Sequence, residues 1–197
     1  FFVPGWVAER YPGAVEAIVA GGHEIGHHGY LHESPNALSP EDERYWFDRA
    51  LDALRRISGQ AIVGYRAPSF DISLATPAML NGNGFAYDSS LMGDDVPYLL
   101  AEPGGEPSLL EIPQFIAMDD WPHFMHNWDL GYQMPISAPQ RAKEVFLAEF
   151  EAAWANGGLW MTVWHPFLTG RPSRIQMLIE MIEHMQEKGG VWFATLS

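Results

Sequence analysis

Four of the eight histidines in this 197-residue chain lie within residues 23–32. His28 and His32 flank a glycine-containing turn that follows a predicted strand. Two neutral imidazoles placed in this way can share a divalent cation and leave room for a carboxylate and water. A histidine pair without any ligand role is the alternative, and spacing alone does not decide between the two.

Residues 23–27 also spell His-Glu-x-x-His, the zinc motif of many metalloproteases. That motif requires a helix that brings both histidines to one face. Glycines at positions 21, 22, 26 and 29 each cost a helix roughly 1 kcal/mol relative to alanine. We therefore reject this motif and expect His23 and His27 to have structural or supporting roles.

Two further polar sites follow a predicted strand or adjoin an aromatic residue. Arg66 carries a permanent charge that could orient a carboxylate, or could form an ordinary surface salt bridge. Asp119 and Asp120 precede Trp121, so one acid could pair with Arg66 while the indole stacks on a sugar or ring substrate. The alternative is a loop of solvated acids with a core tryptophan.

His165 follows the most strongly apolar segment of the chain, residues 159–164. A partly buried histidine at a strand end can act as a general acid or base near neutral pH. A histidine that is simply satisfied within the core is the alternative.

The elements that must position these residues alternate between strand and helix. Strands are predicted at 1–3, 24–28, 61–65, 85–88, 109–113, 159–164 and 191–195, and helices at 7–20, 40–57, 76–81, 138–156 and 172–188. This alternation predicts an α/β fold in which helices cover a parallel sheet. Seven predicted strands favour a barrel over an open sheet. The candidate residues then fall at the carboxyl ends of strands, where such folds place their chemistry. We expect residues 91–107 to form a surface loop and residues 115–136 to form a lid or pocket wall.

Composition excludes several functions. Eleven basic and 25 acidic residues give 11 − 25 = −14, a charge that repels nucleic acid and anionic membrane surfaces. The chain has no cysteine, which excludes disulfides and cysteine-based zinc sites, and no apolar run has the length of a membrane span. We expect a cytoplasmic protein that forms a homo-oligomer, and a chain that lacks residues at both ends.

Taken in order, the motifs resemble the polysaccharide deacetylase (NodB-homology) superfamily. They are most similar to the branch with Helicobacter-type peptidoglycan deacetylases, allantoinase-like proteins and cyclic imide hydrolases. The matching segments are residues 22–32 (Gly-His-Glu-Ile-Gly-x-His-Gly-Tyr-x-His), 66–69 (Arg-Ala-Pro-Ser), 110–113 (Leu-Glu-Ile-Pro), 119–122 (Asp-Asp-Trp-Pro), and His165-Pro166 with Gly170-Arg171.

The resemblance implies a single domain over residues 1–197 with a distorted (β/α)7 TIM-like barrel that lacks its first strand here. It implies a metal, most readily zinc, bound by His28, His32 and an Asp expected upstream of Phe1. His165 is similar to the proton donor, and Arg66 and Asp120 to groups that orient the site. The remaining residues that the resemblance places against substrate are Tyr30, Asp119, Trp121 and Arg171.

The implied reaction is metal-dependent hydrolysis of an amide other than a peptide bond. N-deacetylation of an amino-sugar glycan is the first hypothesis, and hydrolysis of a small cyclic amide such as allantoin or an imide is the second. A third hypothesis, from a different class, is an inactive relative that only binds sugar, because no Asp precedes Asp42.

Overall fold

A computed structural model describes residues 1–101 and 104–197 of the chain. The chain divides into two compact units. Unit 1 comprises Phe1–Pro113 with Ala194–Ser197, and unit 2 comprises Gln114–Phe193.

Unit 1 is built on a six-stranded sheet with the order β1-β2-β3-β4-β6-β5. All neighbouring pairs are parallel except β5 and β6, which are antiparallel. The parallel strands therefore end along the same edge of the sheet. Their bounds are β1 (Phe2–Val3), β2 (Gly26–His27), β3 (Gly64–Tyr65), β4 (Tyr87–Asp88), β5 (Tyr98–Ala101) and β6 (Pro107–Glu111).

Four helices connect these strands: α1 (Gly5–Arg10), α2 (Pro12–Ala20), α3 (Pro40–Ser58) and α4 (Thr76–Gly82). The predicted start of α3 is confirmed, because the Ser39 hydroxyl accepts a hydrogen bond from the Asp42 backbone N–H at 3.1 Å. The single helix predicted over residues 7–20 is wrong. Tyr11 leaves the helical region at φ −133° and ψ 58°, because a residue before proline disfavours helical backbone angles.

The core of unit 1 lies between α3 and the sheet. Phe47, Leu51 and Leu54 of α3 are buried in one cluster with Ile25 and Tyr65. These apolar positions recur every three or four residues, so one face of α3 covers the sheet and fixes the strands whose ends carry the polar residues.

Part of the predicted surface loop at 91–107 is β5, which pairs with β6. Residues 102–103 of that loop lie outside the described residues. The loop prediction is wrong for residues 98–101, since the hydrogen-bonding edge of β6 draws them into the sheet.

Unit 2 is mainly helical, with α5 (Trp121–Phe124), α6 (Pro139–Asn156), α7 (Pro166–Thr169) and α8 (Pro172–Lys188). Phe146 and Phe150 of α6 share a core with Met177, Met181 and Met185 of α8. None of the helices in the described residues is both long and apolar enough to cross a bilayer.

The strands predicted at 159–164 and 191–195 do not form. Within 159–164 one parallel bridge joins Val163 to Asp119, and within the described part of the chain residues 191–195 have no ladder partner. An apolar run becomes a strand only where a neighbouring strand supplies hydrogen bonds. The bridge nevertheless brings the residues after 119 and 163 together, which matters for the site.

Candidate active site

The carboxyl edge of the unit 1 sheet carries a row of polar residues. His28 follows β2 and Arg66 follows β3, while Asp88 and Glu111 are the last residues of β4 and β6. The parallel register places Asp88 directly opposite Glu111. In this unit, polar residues therefore lie at the carboxyl ends of the parallel strands, as predicted.

His28 is held in one tautomer. Its Nδ1 lies 2.7 Å from the Arg66 carbonyl oxygen, which can only accept, so Nδ1 carries the hydrogen and the lone pair is on Nε2. Burial lowers the pKa of His28 to about 3, so the ring is neutral. A neutral ring anchored through Nδ1–H is the usual state of a metal-binding histidine.

His32 lies beside His28, with ring centroids 4.9 Å apart and planes at 78°. Its backbone has φ +65°, a left-handed conformation that costs a non-glycine residue of order 1 kcal/mol and persists only when surroundings enforce it. The pair thus fits a shared divalent cation by donor type, tautomer and spacing.

The protease-like motif is excluded by the structure. Residues 23–27 form no helix, and Gly26–His27 is a strand. His27 is fully buried, its Nε2–H donates to the Phe47 carbonyl at 3.0 Å, and its Nδ1 accepts from the Gly29 N–H at 3.2 Å. Both ring nitrogens are used within the core, which agrees with the structural role expected for this residue.

Tyr30 is positioned for packing. The side chain is 3% exposed, its hydroxyl donates to Glu9 at 2.6 Å, and its ring stacks on Trp46 with centroids 5.5 Å apart. Arg49 covers the ring from 4.1 Å. These contacts give Tyr30 a packing role, and its contact with substrate stays a prediction.

Arg66 is buried and binds the residues after β4. Its Nε donates to the Ser89 carbonyl at 2.8 Å and its Nη2 to the Ser89 hydroxyl at 2.6 Å, while the guanidinium lies 4.4 Å from the Phe2 ring centroid. The alternative of a solvated surface salt bridge is therefore wrong for this residue. Pairing of Arg66 with Asp119 or Asp120 stays a prediction.

Asp88 and Glu111 form a buried acid pair that the sequence did not indicate, because Glu111 lies inside the strand predicted over residues 109–113. Glu111 is fully buried, and Asp88 is 1% exposed. Burial, followed by the charge of Asp88, raises the pKa of Glu111 to about 9. Burial raises the pKa of Asp88 as well. Two opposed carboxyls in a buried site disfavour ionisation of both together, which agrees with the raised pKa of Glu111.

In unit 2, His165 is held by Asp120. The ring Nδ1 lies 2.6 Å from Asp120 Oδ1, and the His165 backbone N–H donates to Asp120 Oδ2 at 3.0 Å. Thr169 also donates its hydroxyl to Oδ2. The carboxylate is fully buried and both of its oxygens accept hydrogen bonds, so it fixes the orientation of the imidazole.

Asp119 supports the same group from one residue away. Its Oδ1 accepts the Trp121 N–H at 2.7 Å and lies 3.6 Å from His165 Nδ1. Asp119, Asp120 and His165 also lie within cation-binding distance of one another. The hydrogen bonds that Asp120 and His165 make to each other favour a proton-transfer dyad over a metal site.

Aromatic rings surround His165. The centroid of Trp121 is 5.3 Å from that of His165, and the half-exposed Phe167 lies 5.8 Å from it. Tyr132, from the predicted lid segment, contacts Trp121 edge to face at 5.5 Å. Trp121 Nε1 is buried without a hydrogen-bond partner in the described residues, and Arg171 is exposed at the start of α8.

Parallel strands that end in paired histidines, and a histidine fixed by a buried carboxylate, are typical of α/β enzymes that perform hydrolysis. The sequence comparison is specific. Residues 1–87 match the family described as polysaccharide deacetylase. The chain belongs to this family, whose members are hydrolases of carbon–nitrogen bonds other than peptide bonds and act on N-acetylated sugars. The predicted resemblance is confirmed.

Similar proteins cover the whole chain. A peptidoglycan deacetylase of Helicobacter pylori is 28% identical, over 100% of this chain and 75% of that protein. A crystal structure from Mycobacterium smegmatis, assigned to the polysaccharide deacetylases, is 42% identical with a TM-score of 0.93, over 100% of this chain and 68% of that one. An allantoinase structure is 26% identical with a TM-score of 0.86, over 99% and 63% of the two chains. These matches confirm the predicted α/β fold class.

Proposed function

We propose that this protein removes the N-acetyl group from an amino-sugar glycan, using a divalent metal, most readily zinc, bound by His28 and His32. The observation that carries the proposal is the state of His28. Its Nδ1–H is fixed on the Arg66 carbonyl, its ring is neutral, and the His32 ring lies 4.9 Å away. Within a family of amide hydrolases, that geometry supports metal binding over a purely structural role.

The two histidines provide two of the three protein ligands that a catalytic zinc site uses. The resemblance to the family implies that the third ligand is an aspartate. When bound, a divalent cation supplies polarisation of the amide carbonyl and activation of water.

His165 is the proposed proton donor to the departing amine. Asp120 holds Nδ1, so the ring can transfer a proton only through Nε2. Because Asp120 is itself fixed by Thr169 and by the His165 backbone N–H, the imidazole keeps its orientation as it gains and loses that proton. Asp119 and Trp121 pack against this dyad, and we propose that Trp121 and Arg171 contact substrate.

The decisive experiment is acetate release from N-acetylglucosamine oligomers by zinc-loaded and chelated protein. We expect acetate only with metal, and its loss in His28→Ala and His165→Ala. His184→Ala is the matched control, since His184 pairs with Glu151 at the surface of unit 2. Acetate release that survives both chelation and His28→Ala would contradict the proposal.

A small cyclic amide is the second candidate substrate, because an allantoinase structure is 26% identical over 99% of this chain. Metal-dependent opening of allantoin or a cyclic imide, without acetate release, would favour it. Retained glycan binding with neither reaction would favour the inactive sugar-binding relative. A cytoplasmic location and a homo-oligomer stay predictions.

A further inference from the structure

The acid pair at the ends of β4 and β6 contains a buried carboxylate oxygen that a proton on the same carboxyl would satisfy. Glu111 Oε1 accepts the Leu91 N–H at 2.8 Å, but Oε2 is buried without a donor among the described residues. An ionised oxygen in that position would carry the full cost of burial. A proton on Glu111 lets it donate to Asp88, the residue opposite it in the sheet.

The shared proton leaves the pair with a single negative charge. Arg66 is the cation that acts on Asp88, so the buried charges balance. Among the described residues, burial and also the charge of the pair raise the pKa values of Tyr65, Tyr87 and Tyr98, and these tyrosines are uncharged at neutral pH.

Asp88 uses that charge to hold the loop after β4. Its Oδ1 accepts the Ser89 N–H at 2.8 Å and the Ser90 hydroxyl at 2.6 Å. The Ser90 oxygen in turn accepts the Ala67 N–H at 2.8 Å. The hydroxyl of Ser89 is fixed as well, because it donates to the Ile112 carbonyl at 2.7 Å while accepting from Arg66.

Both serines therefore hold the segment that anchors His28. Ser89 binds the Arg66 side chain and Ser90 binds the next peptide N–H, while the Arg66 carbonyl accepts the His28 Nδ1–H. We propose that Asp88 and Glu111 are positioning residues that fix the tautomer and orientation of His28 through Ser89, Ser90 and Arg66. This inference rests on the proposed metal-binding role of His28.

Substitution of Glu111 by glutamine or by leucine tests whether its hydrogen bonds, and not only its volume, position His28. Gln keeps an acceptor for the Leu91 N–H and provides a permanent donor for Asp88, so Glu111→Gln mimics the protonated acid. Leu fills similar space but cannot hydrogen-bond to either group. Asp88→Asn removes the charge, and Ser90→Ala removes the link to the Ala67 N–H with little change of volume.

The first readout is the ¹⁵N spectrum of histidine-labelled protein, which reports the tautomer of each imidazole without any metal. We expect a fixed Nδ1–H tautomer for His28 in the wild type and in Glu111→Gln. We expect a mixture of tautomers in Glu111→Leu, Asp88→Asn and Ser90→Ala. Where Glu111→Leu does not fold, Ser90→Ala decides. Glu16→Gln, at an exposed position on α2, is the control.

The second readout is zinc affinity of the same variants. Loss of supporting hydrogen bonds lowers metal affinity by about 10- to 100-fold, and Glu111→Gln should restore most of it relative to Glu111→Leu. A wild-type His28 spectrum in folded Asp88→Asn and Ser90→Ala would overturn the positioning role, whatever the metal result. Absence of zinc binding by wild type would instead overturn the proposed function, and the spectra alone would then decide the positioning role.

Discussion

Glu111 should make the protein less stable as the pH rises, and Glu111→Gln should remove that dependence. The pKa of Glu111 is about 9 in the fold and 4.5 ordinarily. Because the folded pKa is raised, the stabilising effect of the protonated acid is complete below pH 4.5. It is lost as pH rises towards 9, since the unfolded chain releases a proton that the folded chain keeps.

The size of the effect follows from the gap between the two pKa values. Each pH unit within the window changes the free energy of unfolding by about 1.4 kcal/mol per proton. Between pH 4.5 and 7 the free energy of unfolding of the wild type therefore falls by about 3 kcal/mol through the titration of Glu111. Glutamine carries no titrating proton, so the variant lacks this contribution.

The assay is urea unfolding of wild type and Glu111→Gln across pH 4.5 to 9. Subtracting one free energy of unfolding from the other cancels the titration of the groups that do not interact with Glu111, and the remaining difference belongs to Glu111 and its partner Asp88. We expect the free energy of unfolding of the variant to rise, relative to that of the wild type, by about 1.4 kcal/mol for each pH unit. Glu16→Gln, which removes a carboxyl at an exposed position on α2, is the control. A flat difference for Glu111→Gln would show that Glu111 ionises normally and would refute the shared proton.

Three further predictions test the site and the fold. Asp120→Asn should lower the turnover number by about 10²- to 10⁴-fold with little change in stability, because it disturbs the His165 tautomer; steady-state kinetics and thermal unfolding check both. Phe47→Ala should destabilise unit 1 by about 3–5 kcal/mol in urea unfolding, since Phe47 is buried in its core. Ser39→Ala should cost about 1 kcal/mol in the same assay, through loss of the first hydrogen bond of α3.

The alternation of elements was predictable because apolar periodicity and helix ends are local signals. The start of α3 was confirmed from Ser39 and Pro40 alone. The break at Tyr11 was missed although Pro12 is visible in the sequence, because the apolar pattern continues across it. Strand β5 was missed for a different reason: its residues become a strand only by pairing with β6, and that pairing is tertiary.

Site residues were predictable where they follow strands. His28 lies at a strand end as expected, and His165 follows the bridged residue Val163, each with partners that hold its ring. The packing of the Tyr30 side chain against Trp46 was not predictable in this way. Gly29, at φ +68°, redirects the chain after β2, and the next side chain turns into packing against Trp46.

The acid pair shows where sequence reasoning ends. Asp88 and Glu111 are 23 positions apart, and β5 lies between their strands along the chain. In the sequence, Asp88 is the last residue of a predicted strand and Glu111 lies inside another, and a formal charge of −14 counts both as ionised. The parallel register of β4 and β6 places Asp88 and Glu111 opposite each other, and burial then favours a bound proton on the pair in the folded state. At pH 7 the folded protein should therefore carry one negative charge fewer than the sequence implies, −14 + 1 = −13.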